Sequence, residues 1–184
     1  WDLMDYGQYV KNGTSPVGYS AYERNFMGWL TIDTLDISKK QKVNVTSLAD
    51  CGGNRAYKII NPKNANEYYI LENRQPSTWF HKIFGHGLLI YHVDYKESVW
   101  MSGKVNDDVN HQRMTVIPAD NVLTPAYIKK SFDSYKGDFF PGLTNNTSLT
   151  DETIPSDTVY EGGYMHVKLN DISEDSRHNV VFAF

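Results

Sequence analysis

The sequence of 184 residues has a single cysteine, no dense cluster of basic residues and no apolar run long enough to cross a membrane. The lone Cys51 excludes an internal disulfide framework and a CxxC metal clip. A formal net charge of −4 without a basic patch argues against nucleic acid as a partner. We therefore expect neither a nucleic-acid partner nor a membrane span.

The sequence is rich in aromatic residues, which make up 14% of the chain and include 13 tyrosines. This content favours β-strands and excludes an intrinsically disordered chain. The length allows one domain, or one domain plus a fragment, and a chain of this size can bury a core without disulfides.

The first 30 residues are mostly irregular but contain one helix signal. Ser20 and Glu23 have the spacing of a capping box, which predicts a short helix over Ala21–Met27, ended by Gly28. Because two helical turns are marginal in water, this helix must pack on the rest of the protein. The side chains expected to make that contact are Tyr22, Phe26, Met27 and Trp29.

The remainder of the chain has the pattern of β-strands separated by Gly, Asn and Pro turns. The predicted strands lie in the segments KVNVTSL, AYKIIN, NEYYILENR, GLLIYHVD, RMTVIPA, GYMHVKL and NVVFAF. The nearly continuous apolar run GLLIYHVD is typical of a central strand covered on both faces. We predict a mainly β protein in which residues 31–184 form an antiparallel β-sandwich.

Two long connections interrupt the predicted strands, and long loops in a compact domain are usually functional or disordered. The second connection, which begins at KSFDSYKGDFFPG, carries apolar residues that we expect to hold it to the core. These residues are Phe132, Phe139, Phe140 and Leu143.

None of the six histidines lies in HExxH or another zinc-binding spacing. His86 and His92 bracket a predicted strand and would lie roughly 20 Å apart at about 3.3 Å per residue, so they cannot share a metal. The segment VNDDVNH carries the oxygen ligands that Ca²⁺ prefers, but it lacks the EF-hand spacing. A calcium site and a plain polar turn both stay open for this segment, with the turn as the default.

Four polar residues stand at the ends of two predicted strands: Glu72 and Asn73 on one, His92 and Asp94 on the other. If these strands pair, we expect a polar network, more often structural than catalytic. No GxSxG elbow or glycine-rich phosphate loop is present, and Cys51 lies in a turn with nothing nearby to lower its thiol pKa.

The opening segment WDLMDYG resembles the Met-turn of metzincin-type zinc peptidases. Four later segments resemble, in the same order, secreted bacterial metallopeptidases of the immune inhibitor A class: GYSAYERNFMGWL, EYYILENRQ, GHGLLIYHVD and FFPGLTNNTSLTDE. The resemblance implies that Met4 is the apolar floor beneath a zinc site. It also implies that Tyr6 donates a hydrogen bond to the transition state. The substrate would be a protein or peptide, and the protein would be secreted or located at the bacterial cell surface.

The chain departs from that family because HExxH is absent from it. The resemblance then implies that the zinc ligands and the catalytic Glu lie upstream of Trp1, in a missing N-terminal catalytic half. Residues 1–30 would be the remnant of that catalytic domain, comprising the Met-turn and one short helix, and residues 31–184 an accessory β-domain. Zinc would be a cofactor of the full-length protein, and this chain alone should not cleave peptides. We expect Met4 and Tyr6 to be weakly anchored here.

Two alternatives lead to other functions. A non-catalytic β-sandwich could bind glycans or proteins through aromatic side chains on its loops. The candidates for such platforms are Trp79, Trp100 and Tyr127. The second alternative is a scaffold domain that binds no ligand and only stabilises a catalytic half.

Overall fold

The computed structural model describes residues 1–123 and 134–184, and it is mainly β, with 29% strand and 13% helix. Within these residues the strands are β1 (Asp33–Thr34), β2 (Lys42–Val45), β3 (Ala56–Asn61), β4 (Asn64–Arg74), β5 (Gly87–Asp94), β6 (Met114–Val116), β7 (Thr158–Val159), β8 (Gly163–Tyr164), β9 (Asn170–Glu174) and β10 (Val180–Ala183). The helices are α1 (Ala21–Phe26) and α2 (Glu97–Met101), with 3-10 turns at Tyr6–Tyr9, Thr78–Phe80 and Tyr135–Gly137. No described helix combines the length and apolarity needed to span a membrane.

The larger sheet has five strands in the order β1-β3-β4-β5-β6. Its neighbours are antiparallel except for β1, which pairs with β3 in parallel. All eight residues of β5 are buried between β4 and β6. The prediction that GLLIYHVD forms a central strand covered on both faces is confirmed.

A second sheet has three antiparallel strands in the order β2-β10-β9. Residues of β2 alternate between exposed and buried as their sequence predicts, and Val180 and Phe182 of β10 are buried with them. The two sheets share one hydrophobic core. Its members from the strands include Val43, Val45, Ile59, Tyr69, Leu71, Leu88, Ile90, Ile172, Val180 and Phe182.

The chain between β8 and β10 differs from the prediction. In the segment GYMHVKL only Gly163 and Tyr164 belong to a strand, whereas the unpredicted strand β9 follows at Asn170–Glu174. The pairing of β9 with β10 shifts register, and Asp171 has a φ of 55°, which is a left-handed conformation. Asn and Asp tolerate this conformation but are rare in strands, so strand propensity did not predict β9.

The first 30 residues pack onto the other face of the large sheet. Their buried side chains form a second core with residues of β4, β5 and the intervening loops. This core includes Val10, Val17, Ala21, Leu30, Leu48, Ile70, Phe80, Leu89, Tyr91 and Phe139. The N-terminal segment is thus joined to residues 31–184 by apolar packing.

Helix α1 has the predicted capping box and is followed by Gly28 at a φ of 74°. Its predicted docking face is wrong for Phe26 and Trp29, which are 84% and 62% exposed, whereas Tyr22 packs against the second core as predicted. The buried residues are instead Ala21 and Glu23 at the first turn. A helix this short docks by its end, where unpaired backbone N–H groups need acceptors, rather than by an aromatic stripe.

Loop residues expected to hold the second long connection give a mixed outcome. Phe139 and Phe140 are fully buried, whereas Leu143 is exposed. Phe132 lies outside the described residues.

Candidate functional site

The Met-turn candidates lie on a hydrogen-bonded turn with their side chains outside the core. The Met4 side chain is 77% exposed and Tyr6 is 38% exposed. The Asp2 carbonyl accepts the Gly7 amide at 3.0 Å, and the Asp2 carboxylate accepts the Met4 amide at 2.7 Å. A Cβ on Gly7 would lie 2.4 Å from the Asp2 carbonyl oxygen and from a Val17 methyl, so this turn requires glycine there.

A buried arginine on β4, Arg74, holds the start of this turn. The Arg74 side chain is fully buried and donates to the Trp1 carbonyl at 2.6 Å and to the Glu72 carboxylate at 2.5 Å. It also donates to the Tyr91 hydroxyl at 3.2 Å and stacks on the Phe80 ring. Burial opposes the charge on Arg74, but the neighbouring Glu72 carboxylate raises the guanidinium pKa above its ordinary value. Arg74 therefore stays charged and fixes the start of the chain to the sheet.

Two carboxyl groups beside the N-terminal turn have pKa values raised toward neutral pH. Burial and the nearby Asp2 carboxylate raise the pKa of Glu23 to about 7, and Glu23 Oε1 is buried without a partner. The Ser20 hydroxyl lies 2.9 Å from Glu23 Oε2 and 3.4 Å from Asp2 Oδ2. Burial likewise raises the pKa of Asp138 to about 7, against the hydrogen bond that it accepts from the Trp1 indole. Carboxyl groups that titrate near neutral pH make the N-terminal segment sensitive to pH.

A second polar cluster lies at the opposite end of the central strands. Glu67 is fully buried and accepts four hydrogen bonds, from the His92 ring, the Asn61 amide and the backbone N–H groups of Tyr160 and Glu161, at 2.6–3.1 Å. Burial raises the pKa of Glu67, but these donors outweigh burial and hold it below its ordinary value. Burial also lowers the pKa of His92, despite the Glu67 carboxylate. The pair is a satisfied structural contact.

The same cluster continues toward the surface through stacked rings. The His111 ring stacks on Tyr160 with centroids 3.8 Å apart, and its Nε2 lies 2.7 Å from Asp94 Oδ2. Arg113 also contacts that carboxylate at 2.5 Å, and the Tyr160 hydroxyl donates to the Gln112 carbonyl. Asp94 therefore joins β5 to the loop that leads into β6.

The predicted joint network of four residues is wrong in one respect. The strands pair as expected, but their antiparallel register places Glu67, not Glu72, opposite Asp94. Asn73 instead donates to the backbone carbonyls of Val45 and His178. Glu72 and Asn73 thus belong to one end of the sheet, and His92 and Asp94 to the other.

Metal-ligating side chains do not converge in the parts of the chain that the structure describes. No group of three or more His, Cys, Asp or Glu residues there could hold an ion. His86 contacts Glu174 and His92 contacts Glu67, so these two histidines have separate partners.

The acidic loop considered for Ca²⁺ is tied up in its own turns. Asn106 makes two hydrogen bonds to the backbone of Met114, and Asp108 accepts the amide of Asn110. These contacts fit the polar turn, which was the default prediction. Cys51 is exposed in a turn.

Residues that shape both clusters were not singled out in the sequence. Arg74, Glu67 and Tyr160 have partners up to 94 positions away, so no local motif identifies them. The available signal was a charged residue within an apolar strand pattern, as in NEYYILENR. Such residues, when buried, are almost always paired.

Comparison with known protein families, curated proteins and solved structures finds no match to this chain.

Proposed function

We propose that this chain is the C-terminal segment of a secreted bacterial zinc metalloendopeptidase. Residues 1–30 would be the catalytic-domain remnant with the Met-turn, and residues 31–184 an accessory antiparallel β-sandwich. The zinc ligands would come from an N-terminal half that carries HExxH. The observation that supports this most directly is an exposed methionine, Met4, on a turn that buried Arg74 anchors through Trp1.

The distribution of exposed apolar side chains supports the same proposal. Five large ones lie in the first 30 residues. They are Met4, Tyr6, Tyr9, Phe26 and Trp29. Contiguous exposed apolar surface marks contact sites with other proteins, and a catalytic half packed on Met4, Tyr6, Tyr9 and Phe26 would supply such a contact.

In this role the chain shapes a metal site without holding the metal. Zinc bound by the catalytic half would activate a water molecule for attack on a peptide carbonyl. Met4 would form the apolar floor below that site, and the Tyr6 hydroxyl would donate a hydrogen bond to the oxyanion as charge develops on it. The described residues of this chain offer no ligand set of their own, so we assign it no metal-binding step.

The first test is to read the encoding gene upstream of Trp1. We expect HExxH and a third His or Asp ligand within about a hundred residues, the scale of one domain. If no such motif lies there, the proposal fails.

The second test uses the full-length protein on casein, with and without a chelator. We expect chelation to abolish turnover and Tyr6→Phe to lower kcat roughly 100-fold, the scale of one lost oxyanion donor. Tyr9→Phe is the matched control, because Tyr9 is also exposed and its ring lies 5.2 Å from that of Tyr6. Equal turnover in the Tyr6→Phe variant and the unmodified enzyme would remove the tyrosine from the mechanism.

A non-catalytic binding module is the second candidate, and one observation favours it. Trp79 is 69% exposed, as a recognition platform requires. Trp100 instead packs on Tyr22 and Tyr95, and Tyr127 lies outside the described residues. The aromatic surface that such a module would use is therefore centred on Trp79.

A further inference from the structure

An apolar groove of about 550 Å³ lies between the N-terminal segment, the start and end of α1, and the 3-10 turn at Thr78–Phe80. Its walls include Leu3, Val17, Tyr19, Trp29 and Trp79. Two arginines, Arg24 and Arg55, also line it. The volume lies within the range of ligand-binding clefts, which is roughly 300–1,000 Å³.

The two arginines of the groove donate hydrogen bonds to backbone carbonyls, and the Arg24 guanidinium also lies over the Phe80 ring. Arg24 donates to the carbonyls of Tyr19 and Leu48 at 3.0 and 2.6 Å, and Arg55 donates to the Asp50 carbonyl at 3.2 Å. The ion pairs among the described residues include neither arginine. In addition, Arg55 Nε is buried with no acceptor. The groove thus contains two positive charges without a carboxylate partner.

Such an arrangement is incomplete as a structural feature. Fully buried charged residues are almost always paired, as Arg74 is with Glu72, whereas Arg24 and Arg55 are half-buried and form no ion pair. Burial lowers the pKa of Arg24, and the nearby Arg74 and Arg55 act in the same direction, against the opposing Glu72 and Glu23 carboxylates. An incoming anion would relieve both effects, and a carboxylate suits a guanidinium because it can accept two parallel hydrogen bonds.

The walls define the rest of the ligand. Indole and phenol rings beside aliphatic side chains favour a large apolar group next to the anion. We propose that this groove binds an extended peptide segment of another protein, with an acidic side chain directed at Arg24 and Arg55 and an apolar neighbour against Trp29 and Trp79. This binding needs no metal and no catalytic half. A failure of the peptide to bind would therefore contradict this proposal without contradicting the proposed peptidase role.

The test titrates this chain with an acetylated and amidated peptide that carries one glutamate between a leucine and a phenylalanine. Binding is followed by tryptophan fluorescence, because Trp29 and Trp79 line the groove, and by calorimetry. We expect saturable binding, weakened about tenfold or more when the peptide glutamate is replaced by glutamine, the scale of one charged hydrogen bond.

Variants of the chain locate the site. Arg55→Gln should weaken binding of the glutamate peptide about tenfold and bring it to that of the glutamine peptide, which is the result of a double-mutant cycle when the two charges interact. Arg177→Gln is the matched control, since Arg177 is exposed and does not line the groove. Trp79→Ala should weaken binding of both peptides equally, and because Trp79 is exposed its truncation leaves the hydrophobic core intact.

Three results would overturn the proposal. They are absence of saturable binding at peptide concentrations up to about 1 mM, equal affinity for the glutamate and glutamine peptides, and an Arg177→Gln variant that loses as much affinity as Arg55→Gln. Urea midpoints of each variant confirm that a lost signal reflects the groove and not the fold.

Discussion

At the scale of single residues, Arg74 is the side chain on which the N-terminal turn depends. It is fully buried, and its guanidinium contacts the first residue of the chain, Trp1, as well as the Glu72 carboxylate. Glu72 in turn accepts the backbone N–H of Ala21 at the start of α1. One ion pair on β4 therefore holds both the turn that presents Met4 and the helix that follows it.

Arg74→Met should lower the free energy of unfolding by about 3–5 kcal/mol, because it leaves the Glu72 carboxylate buried without its cation. Urea denaturation at pH 7 measures this loss. The control Arg177→Met alters an exposed arginine and should change stability by no more than about 0.5 kcal/mol. A loss below about 1 kcal/mol for Arg74→Met would mean that water or a rearranged side chain compensates Glu72.

At the scale of elements, Glu67 fastens the β7–β8 hairpin to the central sheet. Its two carboxylate oxygens accept the backbone N–H groups of Tyr160 and Glu161, which lie between those two strands. The hairpin itself has only two pairs of residues in register. A hairpin so short is not stable by itself, so its position depends on this side chain.

Glu67→Gln should release the hairpin locally. The glutamine amide would present a donor to backbone N–H groups and lose at least one acceptor, at a cost of about 1–3 kcal/mol. Hydrogen exchange of the Tyr160 and Glu161 amides should then accelerate roughly 10-fold or more, while the amides of β5 change less. Glu97→Gln, at an exposed position, is the control. Unchanged exchange at both amides would contradict the assignment.

Elements with local signals could be predicted from the sequence. The capping box of Ser20 and Glu23 defined α1 to within one residue, and the apolar run at Gly87–Asp94 identified the central strand. Both signals depend on residues a few positions apart.

Features that depend on pairing across the chain could not be predicted. The network expected from Glu72 and His92 required the register of β4 against β5, and that register separates the two residues. The docking of α1 required knowing that Glu72 would meet Ala21. Strand β9 required knowing that β10 would be its partner across a register shift. In each case the deciding contact joins distant positions, which periodicity does not encode.

At the scale of the whole molecule, the two polar clusters respond to pH in opposite directions. Glu23 and Asp138, beside the N-terminal turn, have folded pKa values raised to about 7 from ordinary values of 4.5 and 3.8. Between those values the folded state binds more protons than the unfolded state, so stability falls as pH rises. His92 has a folded pKa below its ordinary 6.5, so below pH 6.5 the unfolded state binds more protons and stability falls as pH drops.

Glu23 and Asp138 therefore contribute stability that is present on the acid side of neutral pH and is lost as the pH rises through about 7. Glu23 and Asp138 contribute to this loss together with Asp157, whose pKa burial also raises, whereas the Trp1 amino group, whose pKa burial lowers, opposes it. Replacing both with amides of nearly the same shape, Glu23→Gln with Asp138→Asn, removes their ionisation. The double variant should therefore lose less stability than the unmodified chain between pH 5 and pH 8, by about 5 kcal/mol for the two groups together.

Urea denaturation of both proteins at half-unit intervals from pH 5 to pH 8 measures this difference. Glu97→Gln with Asp107→Asn replaces two exposed carboxylates and should leave the pH profile parallel to that of the unmodified chain. If the Glu23 and Asp138 double variant also stays parallel, the burial of these carboxyl groups does not control the pH response. If the double variant flattens the profile, the segment that carries Met4 and Tyr6 is most stable below neutral pH. The reason is that both carboxyl groups with raised pKa values lie beside the start of that segment.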